Sequence, residues 1–495
     1  MPHRGLITVA LMLATIMQAL DTTIANVALP TMTGDLGASP DNINWVLTSY
    51  IVAAAIMTPV TGWLADRLGR KELFLASVVG FTIFSMLCGL AWSLETIVLF
   101  RLLQGVFGAA IVPLDINPKE RHGQAMAIWG AGIMLGPILG PTLGGWLTEN
   151  FNWRWVFFIN LPVGILAFLG MAAYLPVIPK RLRGFDFFGF AMISLGVGAL
   201  QLLLDRGGEV DWFNSAEIWI ELALSLTGFW VFTIHTVTSE HPFIDPKIFL
   251  DRNFVTGLGF IFVMGVLILA SMSLLPPMLA NIFGYPTVTI GVVLGPRGIG
   301  TMISMLVVGR IMHRFDARIL VAIGFLLTAQ SLYTMASFTP QMDNWLILTS
   351  GVIQGLGMGM VFVPLSTVAF ATLDARYRTD ATALFSLVRN LGSSIGVSVV
   401  AALMVRNTQI NHTELSAFIN PYNPNLWAAS RAAASGDPSA LSQVDRAVNA
   451  QSMMISYIND FKILMVMTLA AIPFVILLRK PKAAPAGGAP AAHMD

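Results

Sequence analysis

Charged side chains inside long apolar runs are the strongest chemical signal in this sequence. Even low estimates put an Asp or Arg at a bilayer midplane at about 2.5 to 3.5 kcal/mol, so each needs a reason to be there. Asp21 is the one acidic residue deep in such a run, and Arg101 lies within another. At 1.5 Å per residue, Asp21 is about 12 Å from the outer end of its run at Leu29, and Arg101 is about 9 Å from Glu95. The two are at similar depth and can meet. A static pair would merely neutralise both charges. A carboxyl held between a burial penalty that favours its acid form and a cation that favours its anion can instead load and release a proton. Proton coupling through Asp21, tuned by Arg101, is the expectation, with Glu221 as the next acid to consider.

Other polar residues within apolar runs could face a substrate: Asn26, Gln104, Arg297, Gln354, Arg389 and Asn390. A hydrolytic alternative rests on Ser394, because Gly392-Ser393-Ser394-Ile395-Gly396 has the spacing of a serine nucleophile elbow. All seven histidines fall in loops, tails or run ends, so no base supports it. The single cysteine, Cys88, permits neither a disulfide nor a cysteine-based metal site. No catalytic group, metal or organic cofactor is expected, only a proton gradient.

The elements that position these residues follow from composition. Of 495 residues, 56% are hydrophobic and 11% charged, against roughly 25% charged in a soluble domain. Lipid is therefore the main solvent, and the scattered basic residues offer no nucleic-acid surface. Crossing about 30 Å of hydrocarbon takes roughly 20 apolar residues. Runs of that length predict fourteen spans: 5–28, 44–65, 72–92, 95–114, 124–147, 155–175, 186–204, 217–237, 254–275, 287–308, 318–338, 345–370, 381–404 and 460–478. Lysine and arginine concentrate in cytoplasmic loops. Only Arg154, Arg206, Arg406, Arg431 and Arg446 fall in outer loops, against 19 inside if both termini are cytoplasmic. The segment 405–459 is a long outer loop with two helical stretches around Gly436-Asp437-Pro438. Residues 481–495, rich in Ala, Pro and Gly, predict a disordered tail.

Two motifs bear on motion. Gly62-Trp63-Leu64-Ala65-Asp66-Arg67-Leu68-Gly69-Arg70-Lys71 follows the second span, and Gly309-Arg310-Ile311-Met312-His313-Arg314 echoes it at the end of the tenth. Duplication of this kind builds transporters that hold substrate between two halves. Gly62, Asp66, Arg67, Gly69 and Arg70 are read as a conformational latch. In the fifth span Gly132, Gly136, Gly140 and Gly144 share one helix face, which lets backbones approach closely, while Pro137 and Pro141 favour a bend.

Together these features resemble the major facilitator superfamily. Its loop after helix two has the Gly-x-Leu-Ala-Asp-Arg-x-Gly-Arg-Lys pattern, its fourth helix the Arg-x-x-Gln-Gly of Arg101 to Gly105, and its fifth the glycine-proline antiporter motif. Leu20-Asp21-Thr22-Thr23 and the Asn420-Pro421-Tyr422-Asn423-Pro424 of the outer loop are similar to the fourteen-helix drug:proton antiporter branch with EmrB-type pumps. Relatives carry about two more helical turns after Pro113 than this chain does. The resemblance implies an all-α membrane fold with an N-terminal six-helix bundle (1–178), an inserted helix pair (179–250) and a C-terminal bundle (251–480). It further implies proton-coupled export of amphipathic drugs across the inner membrane, with a periplasmic adaptor and outer-membrane channel as partners; a dedicated exporter of one metabolite is the alternative. The orientation has a direct check. With Cys88 replaced, a cysteine at Ser435 is expected to react with an impermeant thiol reagent on intact cells, and one at Gly184 is not.

Overall fold

The computed structural model of the chain describes residues 4–39, 42–111, 132, 135–177, 180, 184–312, 314–420, 422–424 and 431–479. Every long element among them is an α-helix. The first half comprises α1 (Arg4–Asp35), α2 (Trp45–Met57), which continues through a 3-10 turn into α3 (Thr61–Leu68), α4 (Arg70–Gly89), α5 (Leu94–Gly108), α6 (Leu135–Asn150) and α7 (Asn160–Tyr174). Next come α8 (Phe187–Arg206) and α9 (Ala216–Thr238). The second half comprises α10 (Arg252–Asn281), α11 (Thr287–Ile311), α12 (Ala317–Met335), α13 (Asn344–Ala371), α14 (Arg378–Ser416) and α15 (Pro438–Ala471).

Twelve of these spans, counting α2 with α3, are long and apolar enough to cross a membrane among the described residues. The other two expected spans are α5, with 15 residues, and α6, with 16. Both border residues 112–134, most of which lie outside the described ones, as do Asp115 to Pro118 and the first part of the span expected over 124–147.

The segment 405–459 departs from a loop. α14 continues to Ser416 and α15 begins at Pro438, so the helical stretch after Gly436 is a continuation of a membrane helix, while the one before it shows, among the described residues, the short separate helix Arg431–Ala434. No glycine or proline interrupts residues 405–416, and nothing there stops the helix. α15 starts where Gly436 adopts φ 89°, after which the Asp437 carboxylate accepts hydrogen bonds from the Ser439 and Ala440 amides at 2.8 and 3.3 Å.

Both halves are assembled alike. α1 packs on α6 and α7, α2 on α5, and α4 on α5 and α7; likewise α10 packs on α14 and α15, α11 on α13, and α12 on α13 and α15. The same glycine contact recurs inside each. A side chain at Gly105 would strike the Tyr50 carbonyl of α2, and one at Gly355 the Arg297 carbonyl of α11. The duplication glimpsed in two loops thus extends through the helix packing.

The pair α8 and α9 joins the halves. α8 packs on α2 and α14, and the Ser398 hydroxyl donates to the Leu204 carbonyl at 2.8 Å. At the end of α8 Arg206 pairs with Glu217 and stacks over Trp45 at 5.1 Å, while Asn44 donates to Glu209 at 2.8 Å. α9 leaves Trp219, Ile220, Leu226 and Trp230 exposed, a surface only lipid can cover. Gly228 faces backbone, since a Cβ there would lie 2.6 Å from the Gly196 nitrogen. Gly228→Ala is therefore expected to cost about 1–3 kcal/mol by overpacking, read as a lower melting temperature in detergent. Gly259→Ala, with open space around it, should leave melting unchanged.

Candidate functional site

Asp21 is placed by the small face of α6. Cβ atoms added at Gly132, Gly136, Gly140 and Gly144 would strike Met12, Ala19, Thr23 and Ile24 of α1 in turn. α6 thus lies backbone to backbone along the stretch that carries the acid. The Thr23 hydroxyl, within 3.0 Å of the Ala19 and Leu20 carbonyls of its own helix, also lies 3.3 Å from the Gly136 carbonyl. Arg101 is placed by α5, whose start is capped reciprocally by Ser93 and Thr96.

The two side chains meet at 0% exposure. Arg101 Nη1 donates to Asp21 Oδ2 at 2.5 Å and to Gln104 Oε1 at 2.8 Å, and its Nε donates to the Val46 carbonyl at 3.0 Å. Asp21 Oδ1 accepts from Gln104 Nε2 at 2.9 Å and from Asn160 Nδ2 at 2.8 Å. Asn160 also donates to Ser85 Oγ at 2.9 Å. Above the guanidinium lies the Tyr50 ring at 4.4 Å, with Phe157 at 5.7 Å. Five helices and the single turn Trp155–Phe158 before α7 converge on one charge pair.

Taking two ions into a low dielectric is repaid only if geometry and hydrogen bonding are nearly complete. Asp21 meets that condition with three donors. Arg101 almost does: its Nη2 is buried with no acceptor among the described residues. The arrangement gives both Asp21 oxygens a donor, and a proton arriving on that carboxyl would cancel the charge that holds Arg101, Gln104 and Asn160 together. A chemical change at one atom is thereby felt on α1, α2, α4, α5 and α7.

Sequence reasoning placed Asp21 and Arg101 together and missed Asn160, Ser85 and Tyr50. A lone amide in the apolar stretch around Ile159 and Leu161 was the available signal for Asn160. Of the six residues read as facing substrate, only Gln104 joins this network. Asn26 is exposed on α1. Arg297 donates to Ser271 Oγ at 3.0 Å and to the Ile268 carbonyl at 3.4 Å. Gln354 is fully buried with neither amide atom bonded among the described residues. Arg389 and Asn390 are half-buried neighbours. Glu221 is buried on α9, next to the Arg206 and Glu217 pair in chain position.

The Ser394 pattern lies mid-helix in α14 rather than on a strand-to-helix turn. Gly392 and Gly396 abut Phe262 and Val266 of α10, and Ser393 donates to the Gly265 carbonyl at 3.2 Å. Its glycines serve helix packing.

The latch residues lie where α3 packs on α14. Gly62 is buried, Arg67 stacks on Trp63 at 5.1 Å, and Asp66 and Arg70 are both engaged with neighbours. Gly69 turns the chain into α4 with φ 98°, a conformation that side-chain-bearing residues rarely adopt. On α3, Trp63 lines a cavity of about 290 Å³ together with Asp186, His241, Asp245, Arg376 and Asp380. It joins α3, the inserted pair and the second half.

A family model described as the Major Facilitator Superfamily matches residues 11–397. The multidrug export protein EmrB of Haemophilus influenzae is 39% identical over 428 residues, covering 85% of this chain and 84% of its own. The fatty acid resistance protein FarB of Neisseria gonorrhoeae is 35% identical, covering 97% of both chains. Among solved structures, the human organic anion transporter MFSD10 superposes with a TM-score of 0.60 at 15% identity, over 94% of this chain and all of that one. The likeness is one of fold.

The network's energetics are testable. Arg101→Ala, which strands the Asp21 anion, is expected to cost about 3–5 kcal/mol, seen as a large loss of thermal stability. Combining Asp21→Asn with Arg101→Gln should recover much of it, since neither charge then stays buried.

Proposed function

The chain belongs to the major facilitator superfamily, and from that premise we propose that it exports amphipathic organic compounds in exchange for protons. Its similarity to multidrug export and fatty acid resistance proteins over most of its length supports the substrate class. The Asp21 network carries the coupling reading, because it is a titratable group whose charge state is tied to five helices at once.

In the deprotonated state Asp21 is held by Arg101, Gln104 and Asn160. Protonation from outside removes the reason for that clamp and favours a second arrangement of α1 against α5 and α7. Substrate is released on that side. Deprotonation inside restores the ion pair and the substrate-binding form. A membrane potential supplies about 2.3 kcal/mol per elementary charge per 100 mV, and the pH gradient adds to it, so one proton can drive uphill export. The latch biases the same two states from the inner end, where α3 meets α14.

Export beyond the membrane gives the outer extensions a role. α14 passes Met404 by about 18 Å and α15 precedes Asp460 by about 33 Å at 1.5 Å per residue. A paired helical projection of that length is a fitting dock for a periplasmic adaptor leading to an outer-membrane channel. Failure of positions along 405–416 and 438–459 to crosslink to any adaptor in a host that has one would leave a stand-alone pump.

In proteoliposomes with an imposed proton gradient, Asp21→Asn is expected to abolish uphill drug movement and the proton release that substrate binding causes. Asp66→Asn should slow transport while the protein still accumulates in the membrane. Substrate-induced proton release that persists in Asp21→Asn would overturn this assignment of the coupling site.

A further inference from the structure

The two halves share their packing but not the placement of their buried charges. In the first half the acid is on α1 and the cation on α5. In the second, α10 and α13, which take the packing places of α1 and α5, carry no acid within them and no basic residue past Arg252 at the start of α10. The cation stands instead on α11, as Arg297, and the deepest acid on α15, as Asp460 at 0% exposure. Unlike Asp21, Asp460 has no hydrogen-bond partner for either carboxylate oxygen among the described residues.

Its depth matches that of Asp21. Asp460 is about 17 Å along α15 from its end at Ala471, which the 3-10 stretch Ile472–Leu477 extends by about 12 Å, and Asp21 is about 26 Å from Arg4, at 1.5 Å per α-helical and 2.0 Å per 3-10 residue. An anion at such a place, without donor or counter-ion, carries an uncompensated desolvation penalty, so this packing accommodates the neutral acid. Among the described residues the elements packed on α15, the short helix Arg431–Ala434 with its exposed Arg431 included, supply no charge to it. Arg252, Arg318, Arg378 and Asp380 belong to the inner ends of α10, α12 and α14, while Tyr333, Arg406 and Glu414 are exposed. Arg389 is half-buried beside Asn390, and Arg297 is bonded to Ser271. On α15 itself Lys462 is exposed, and Asp445 and Arg446 lie far out on the extension; Tyr457 is the titratable neighbour.

A polar seam leads from this acid to the outer surface. Ser456, one turn away on α15, is fully buried and receives hydrogen bonds from Thr408 and Asn411 of α14, each at 3.1 Å. Asn411 also approaches the Ser452 carbonyl at 3.4 Å, and Ser452 is fully buried. Next outward, His412 and Asp445 contact at 3.1 Å with Asp445 exposed.

We propose that Asp460 is a second proton-binding site, reached from the outer side along the Ser452, Ser456, Thr408 and Asn411 seam between α14 and α15. A proton from outer water forms the O–H bond of the Asp460 acid, and its departure leaves the carboxylate. The proposal adds a site to the proton-coupled reading above and does not depend on Asp21 being the coupling residue.

Infrared spectroscopy of the full chain in lipid vesicles over a range of pH tests it. The expected result is a protonated-carboxyl stretch that fades as pH rises through the range in which transport runs, is lost in Asp460→Asn and shifts in Asp460→Glu. The glutamate variant keeps the test open if the amide does not fold. In heavy water, Ser456→Val combined with Asn411→Leu should remove the fast exchange of that band. A band that persists at every pH would make Asp460 a fixed neutral acid, and no difference between wild type and both Asp460 variants would mean that it holds no proton; either overturns the proposal. Exchange unaffected by the plugged seam would overturn the route. A titrating band in a protein whose transport ignores the proton gradient would instead sink the coupled-export reading and leave this site standing.

Discussion

The first half of the molecule is organised around keeping one anion, Asp21, in a place where an anion should not be. An unpaired carboxylate in a low-dielectric interior costs several kcal/mol or more, and that penalty dictates much of what surrounds it. Arg101 supplies the charge, but a guanidinium alone leaves the second carboxylate oxygen bare. Gln104 and Asn160 complete it. Gln104 in turn accepts from Arg101 and from the Cys88 thiol at 3.7 Å, so α4 contributes through Cys88 as well as Ser85. The glycine face of α6 follows from the same constraint, because these short, directional bonds require α1 to be held in one register.

Such a site suits a switch because it is satisfied in only one charge state. A structural ion pair gains nothing from being breakable, whereas here the donors are amides and a guanidinium drawn from helices that a transporter must move relative to one another. The second half shows the contrast. Arg297 is satisfied by a hydroxyl and a carbonyl and has no acid beside it, so no single protonation event would release α11 from its neighbours. The halves are duplicates in packing and unequal in electrostatics: the buried ion pair stands in the first, and the buried cation and acid of the second stand apart.

The sequence made the fold legible because apolar runs in lipid have few alternatives to a helix, and the depth of Asp21 and Arg101 could be counted from run ends. What it concealed depended on lateral packing. Nothing in the residues around Asn160 says that it points toward α1 rather than lipid, and the partners of Arg297 and Gln354 rest on helix rotations that periodicity leaves undetermined in uniformly apolar segments. The outer segment was misread for a related reason. Polarity ended the span at Met404, but polarity marks where lipid stops, not where a helix stops.

That last distinction changes what the outer face can do. A loop of some fifty residues would be a separate cover, mechanically loose from the transport core. Two continuous helices are instead levers: a tilt of α14 or α15 within the membrane is carried outward along the same hydrogen-bonded rods. α14 is also the helix that meets α3 near one end and α8 part-way along its length. One element thus runs from the contact with α3, past the inserted pair, to the extension at its far end, so a displacement at one end is carried to the other.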